Sequence, residues 1–200
     1  MHEEALRRAG HQGIAGVDDA GRGPLAGPVV AAAVIFQSPE APGCLDDSKK
    51  LSGVKREKLF EMLIAARNVR IGVGMAGVEE IDTLNILRAT ERAMQRAVAA
   101  LDPSPDHLLV DGLPVRGLTI RSTAVVGGDG QSLSIAAASV VAKVTRDRIM
   151  IELDARYPEY GFARHKGYGT REHLEALRVH GPCPWHRRSF APVSQRTLPF

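Results

Sequence analysis

Four aspartates carry the chemistry that the spacing of this sequence can support. Asp18 and Asp19 follow the apolar Ile14 and Val17, and Asp111 follows the run His107-Leu108-Leu109-Val110 and precedes a glycine. Acids that close apolar runs are acids at strand ends. Neighbouring strands lie about 4.8 Å apart, so carboxylates ending adjacent strands converge, and their repulsion is costly unless a cation lies between them. Hard oxygen donors of this kind suit Mg²⁺ or Mn²⁺. A pair of such ions about 4 Å apart can activate water and stabilise a leaving oxygen in phosphodiester cleavage. Spacing alone leaves plainer readings open. An Asp before Gly also serves turns, which covers Asp111. Asp129, ahead of a helix-forming stretch, could be its N-cap. Asp147, between Arg146 and Arg148, reads as an ion-paired surface residue. Consecutive strand side chains face opposite ways, so Asp18 and Asp19 share a site only if the chain bends there. The following Ala20-Gly21-Arg22-Gly23-Pro24 would allow such a bend.

The elements that must hold these acids are legible in the apolar periodicity. Gly13 to Asp18 and Val29 to Phe36 read as two strands around a Gly/Pro-rich turn, and the second is apolar without alternation, as in a strand covered on both faces. Val69 to Gly77 reads as a third. Leu84, Leu87, Met94, Val98 and Leu101 recur at helical spacing, with Asp82 able to cap the start and Pro103 and Pro105 ending the helix. His107 to Val110 and Gly117 to Val126 read as further strands. Ser132 to about Arg156 is helix-forming, with Ile135, Ala138, Ala142, Ile149 and Leu153 on one side and Pro158 closing it; Arg171 to His180 is a last helix, ended by Gly181-Pro182. The sum is a mixed α/β domain.

The chain is 200 residues with 44% hydrophobic residues but only 4% aromatic, so its core must rest on Val, Ile, Leu and Ala. No apolar run reaches the roughly 18 residues of a membrane span, and Glu3, Glu4, Arg7 and Arg8 at the start are unlike a secretory signal. Two cysteines, Cys44 and Cys183, make no disulfide framework. A cytoplasmic location is the default expectation. Net charge is +3, but from Lys143 onward there are 11 Lys/Arg to 6 Asp/Glu, against 15 to 17 in the rest. A basic C-terminal third on a slightly acidic body suits a polyanion held against a site of its own negative charges. A zinc protein built on Cys183, His186 and His180 or His173 is a weak rival, since no second Cys pair or close His pair completes the set.

Glycines around Arg22 let the backbone come close to a ligand, and their N–H groups can meet a sugar hydroxyl. Telling RNA from DNA requires such a contact to the 2′-hydroxyl. Tyr168, between Gly167 and Gly169, is poorly placed for a core and could lie against a sugar or base. Lys49, Lys50, Lys143, Lys166, Arg187 and Arg188 are candidate phosphate contacts, and Ser139 and Lys143, one helical turn apart, could share a face toward a substrate.

Several blocks resemble a known family. Gly16-Val17-Asp18-Asp19-Ala20-Gly21-Arg22-Gly23-Pro24-Leu25-Ala26-Gly27-Pro28-Val29-Val30 is similar to the opening signature of bacterial ribonuclease HII. The resemblance continues in Asp47-Ser48-Lys49-Lys50-Leu51-Ser52, Val110-Asp111-Gly112, Gly128-Asp129 and the run from Ser134 to Asp147. It closes with His165-Lys166-Gly167-Tyr168-Gly169-Thr170 and His186-Arg187-Arg188-Ser189-Phe190. These blocks stand in the family's order along nearly the whole chain.

The resemblance implies a ribonuclease H-like fold: a mixed five-stranded sheet flanked by helices, with a small helical C-terminal part. It implies one domain over 1–200, its basic helical region at about 157–200. The implied activity is endonucleolytic cutting of RNA in RNA–DNA hybrids, and nicking 5′ of single ribonucleotides in duplex DNA, leaving 3′-hydroxyl and 5′-phosphate ends. Such an activity would serve ribonucleotide excision in DNA replication and repair. Metal ligands carry over onto Asp18, Asp19, Asp111 and Asp129, with Mn²⁺ or Mg²⁺ as cofactor. Gly21, Arg22, Gly23 and Tyr168 carry over as readers of the ribonucleotide at its junction with DNA. A monomer without membrane attachment is expected. One departure matters: the family's second acid is typically Glu, and here it is Asp19. Losing one methylene shortens the reach by roughly 1.3–1.5 Å, large against metal–oxygen bonds of about 2.1 Å. This opens the alternative of a catalytically weakened hybrid-binding protein. A DNA-only nuclease of the same fold, such as a junction resolvase, is disfavoured by the Gly-Arg-Gly and Tyr168 blocks.

Overall fold

Three antiparallel strands and two parallel ones build the central sheet of the computed structural model, whose described residues are 2–38 and 52–195. A first helix, α1 (His2–Arg8), precedes β1 (Ile14–Ala20) and β2 (Val29–Phe36). After α2 (Gly53–Ala65) come β3 (Val69–Ala76), α3 (Val78–Leu84), α4 (Ile86–Ala99), β4 (His107–Asp111) and β5 (Ser122–Val125). The order across the sheet is β3-β2-β1-β4-β5, with β1 antiparallel to β2 and parallel to β4. The mixed five-stranded sheet therefore stands as expected.

Both faces are covered, which is why β2 needs no polar alternation: all eight of its residues are buried. Each fully buried Val or Ile there contributes about 1.5–3 kcal/mol relative to exposure. Ala15, Val17, Ala31 and Ala33 face α4 through Ala89, Ala93, Met94 and Ala97. Ala32 and Val34 face the other side, against Leu59 and Leu63 of α2 and the alanines of α5 (Leu133–Arg156). The helix α5 lies against β1 at Gly16, where a Cβ would fall 2.1 Å from the backbone carbon of Ser134. Only glycine permits that approach.

Three local expectations are corrected. The helix read from Leu84 to Leu101 is two helices, broken at Asn85, whose φ of 70° leaves the helical region while its side chain caps α4 by accepting from the Arg88 N–H. Asp82 is thus not the cap; its carboxylate accepts from the N–H groups of Arg188 and Ser189 and from the Ser189 hydroxyl. The strand read over Gly117 to Val126 is confined to Ser122–Val125. At the head of α5 the cap is Ser132 and not Asp129.

The C-terminal part is helical: α6 (Phe162–His165), α7 (Arg171–His180) and α8 (Ala191–Ser194). It rests on the far half of α5 through a core of Ala26, Met150, Leu153, Tyr160, Phe162 and Cys183. No helix among the described residues is long and apolar enough to cross a membrane.

Candidate active site

Strand register brings the first acids together. In the parallel pair β1–β4, Val17 stands opposite Val110, so Asp18 and Asp111 end adjacent strands side by side. Val17 and Val110 both pack toward α4, which turns Asp18 and Asp111 to the other face, toward α5. There Asp111 Oδ1 accepts the Gly128 N–H at 2.6 Å, and Asp18 Oδ1 accepts the Asp19 N–H at 2.7 Å. No bend intervenes between Asp18 and Asp19: β1 keeps its pairing with β2 through Asp19↔Ala31 and Ala20↔Val30. Even so, Asp19 borders the same cleft as Ser139 and Lys143 of α5, and its charge acts on Asp18. Asp129 is buried in a short 3₁₀ turn, Gly128–Gly130, next to the glycine that binds Asp111.

The electrostatics are those of crowded anions. Burial first, then the charge of Asp19 and that of Asp111, push the Asp18 carboxyl up to about 7, while hydrogen bonding from Ser139 and the Asp19 amide pulls it back. Asp19 is pushed up to about 6 by burial, with Arg22 lowering and Asp111 raising it. Repelling hard-oxygen donors of this kind are the donor set a divalent cation would neutralise. The donor chemistry fits such an ion. The oxygens are not closed into a ready cage, however, since among the described residues no group of three His, Cys, Asp or Glu side chains stands poised around one point.

Beside the acids opens a cleft of about 400 Å³ lined by Asp19, Gly21, Arg22, Gly23, Arg56, Ser139, Lys143 and Tyr168. Six of the residues singled out as substrate contacts thus meet there. Tyr168 is 46% exposed, and its ring edge lies 3.6 Å from where a Cβ on Gly23 would stand. Lys143 reaches the cleft ion-paired to Asp147 at 2.7 Å, so Asp147 is paired as read, though with a residue one turn away and not with its neighbours. Lys166 is not brought to the cleft's lining; its ammonium donates to the Ala163 carbonyl. Lys49 and Lys50 lie outside the described residues.

Sequence reasoning missed Arg56 and the burial of Arg146, and misjudged Arg187. Arg187, read as a phosphate contact, is fully buried, as is Arg146. Arg146 continues the i, i+4 stripe of Ala138 and Ala142 toward Met150, and a charge on a buried stripe was the available signal. The His and Cys group offers no open metal site. His186 Nδ1 accepts the Cys183 N–H at 3.0 Å, its Nε2 meets His173 Nε2 at 3.0 Å, and His173 Nδ1 meets the Tyr168 carbonyl at 2.9 Å. Burial, then His173, holds His186 down to about 4, so this chain of rings is neutral.

Comparison with known proteins agrees with this geometry. A family model described as Ribonuclease HII matches residues 15–193. The ribonuclease HII of Geobacillus thermodenitrificans is 57% identical over 194 residues, covering 97% of this chain and 74% of that protein. That of Geobacter metallireducens is 54% identical over 198 residues, covering 98% of this chain and 92% of that protein. Among solved structures, the ribonuclease H2 from Pyrococcus horikoshii OT3 superposes with a TM-score of 0.75 at 27% identity, over 91% of this chain and 95% of that one.

Proposed function

Because the chain belongs to the ribonuclease HII family, we propose that it nicks duplex DNA on the 5′ side of a single embedded ribonucleotide. Membership itself carries the coarser activity: the protein is a type 2 ribonuclease H, a hydrolase acting on RNA–DNA hybrids. The finer reading is supported by one observation above others. Asp18 and Asp111 end β1 and β4 side by side, and Asp19, next to Asp18, lines the cleft with Gly21, Arg22, Gly23 and Tyr168.

In this reading Asp18, Asp19, Asp111 and Asp129 hold Mg²⁺ or Mn²⁺. A bound divalent ion would stabilise charge on the scissile phosphate and make water a better nucleophile at neutral pH. The chain's own residues do the rest. Asp18 and Asp111, fixed by the Asp19 and Gly128 amides, hold their carboxylates on one face of the sheet. Ser139 and Lys143 present a hydroxyl and a positive charge to the phosphate backbone from one side of α5. The backbone at Gly21–Gly23 can approach the ribose, and Tyr168 can lie against the sugar beside it. Products would carry 3′-hydroxyl and 5′-phosphate ends.

The test is cleavage of a DNA duplex containing one ribonucleotide, with Mg²⁺ and then Mn²⁺. A single nick 5′ of the ribonucleotide, abolished by chelator, with the all-DNA duplex intact, is expected. Cleavage of uniform hybrid alone would refute the single-ribonucleotide reading. A second reading, a weakened hybrid-binding protein, draws on the shorter reach of Asp19, one methylene less than a Glu. Binding of hybrid without chelator-sensitive cutting would favour it.

A further inference from the structure

Two guanidinium groups lie buried beneath the Gly21–Pro28 segment with 0% exposure, and no carboxylate pairs with either among the described residues. Burying an unpaired cation is expensive, and here backbone carbonyls offset the cost. Arg187 donates from Nε to the Gly27 carbonyl at 3.0 Å, from Nη1 to that of Arg22 at 3.0 Å, and from Nη2 to those of Gly21 at 2.6 Å and Pro28 at 3.3 Å. Arg146 donates to the carbonyls of Pro28 at 3.0 Å, Ala26 at 3.1 Å and Lys166 at 3.0 Å. The last of these ties the loop to the segment bearing Tyr168. Gly21 has φ +102°, and a Cβ there would fall 2.1 Å from Arg146 Nε.

The consequence follows from peptide geometry. A trans peptide is planar, with its C=O and N–H pointing in opposite directions, and the peptides after Gly21 and Arg22 are trans. With both carbonyls turned inward to Arg187, the N–H groups of Arg22 and Gly23 must turn outward. Arg22 and Gly23 are exposed and line the cleft. By contrast, the N–H groups of Leu25 and Gly27 are spent internally, on the carbonyls of Gly167 and Trp185.

We propose that Arg187, backed by Arg146, is a positioning residue that aims the Arg22 and Gly23 amides at the substrate ribose, so that ribose recognition depends on a side chain that never touches the nucleic acid. The inference rests on the reading of Gly21–Gly23 as the ribose contact, and the experiment separates the two.

The measured quantity is a ratio: Ki of an all-DNA duplex as competitive inhibitor over KM for the same duplex with one ribonucleotide. In Arg187→Met the ratio falls about tenfold, what one or two lost hydrogen bonds amount to, with Ki for all-DNA little changed. A merely structural arginine would lower Tm, or raise Ki and KM together, and leave the ratio intact; that result overturns the inference. Should Arg187→Met fail to unfold cooperatively, Arg187→Lys decides. It keeps the charge but cannot fork across four carbonyls, so the ratio falls several-fold, and an unchanged ratio overturns the inference. Gly23→Pro removes one of the two amides outright. An unaltered ratio in that variant refutes the ribose reading itself. A reduced ratio there, beside intact ratios in both Arg187 variants, refutes only the role of Arg187.

Discussion

Removing the charge of Glu3 isolates a contact that no sequence pattern announces. Glu3 lies in α1, is 7% exposed, and its Oε1 accepts from the Ser132 hydroxyl at 2.6 Å and from the amide and hydroxyl of Ser134 at 3.0 and 2.9 Å. Those donors form the first turn of the 24-residue α5, whose N-cap Ser132 also accepts the Ile135 N–H. A carboxylate here meets unsatisfied N–H groups and the positive end of the helix dipole, worth up to about 2 kcal/mol when partly buried. Burial alone would raise the carboxyl's pKa, yet the hydrogen bonds from Ser132 and Ser134 win and hold it below the ordinary 4.5. Glu3→Gln keeps the accepting oxygen, loses the charge and puts an NH2 at the Oε2 position, which has no partner among the described residues, so it should cost about 1–2 kcal/mol near neutral pH. For a chain of this length that is roughly 3–6 °C in Tm. The sign with pH is fixed by the lowered pKa. The contribution is complete above the unfolded value near 4.5 and fades as pH falls through the folded one. Urea unfolding of both proteins from pH 7 to pH 3 should therefore show the gap closing on acidification. A gap below about 0.5 kcal/mol at pH 7, or one equally wide at both ends, would refute the account.

Asp111→Asn should retain the fold, because an amide oxygen can still accept the Gly128 N–H. Its cleavage rate should drop at least about 100-fold, since loss of even an outer partner of a metal ligand costs about 10–100-fold; a normal rate would remove Asp111 from the site. Asp19→Glu should raise the rate several-fold or change the preference between Mg²⁺ and Mn²⁺, and steady-state rates identical with both ions would mean that the shorter acid is fully accommodated. Gly16→Ala would drive a Cβ into the Ser134 backbone at 2.1 Å. It should destabilise by about 2–3 kcal/mol or more in denaturant titration, and a loss under about 1 kcal/mol would show that α5 can retreat from β1 at little cost.

Much of the fold was readable because apolar periodicity is a local property. The run Val29 to Phe36, apolar without alternation, could only be a strand covered twice, and the stretch ending at Arg156 needed only its small apolar residues and Pro158 to be bounded. Errors fell where a single residue overrode the period. Asn85, adopting positive φ, split one helical pattern into α3 and α4, and Asp82 turned from a local cap to distant amides at Arg188 and Ser189. Of the residue types singled out, Asp19, Gly21–Gly23, Ser139, Lys143 and Tyr168 line one cleft, and Asp18 and Asp111 end adjacent strands.

Which residues carry acid, glycine or aromatic chemistry is written in the chain, as are the apolar runs that must become strands and helices. Which of them meet was decided only in three dimensions. The β1–β4 register set Asp18 beside Asp111, the packing of α5 on β1 made Asp19, Ser139 and Lys143 walls of one cleft, and burial turned Arg187 from an expected phosphate contact, together with Arg146, into the support of a loop more than 100 residues away. The physical reason is range. Secondary structure answers to side chains a few positions apart, whereas convergence of charges depends on packing between segments that share no local signal.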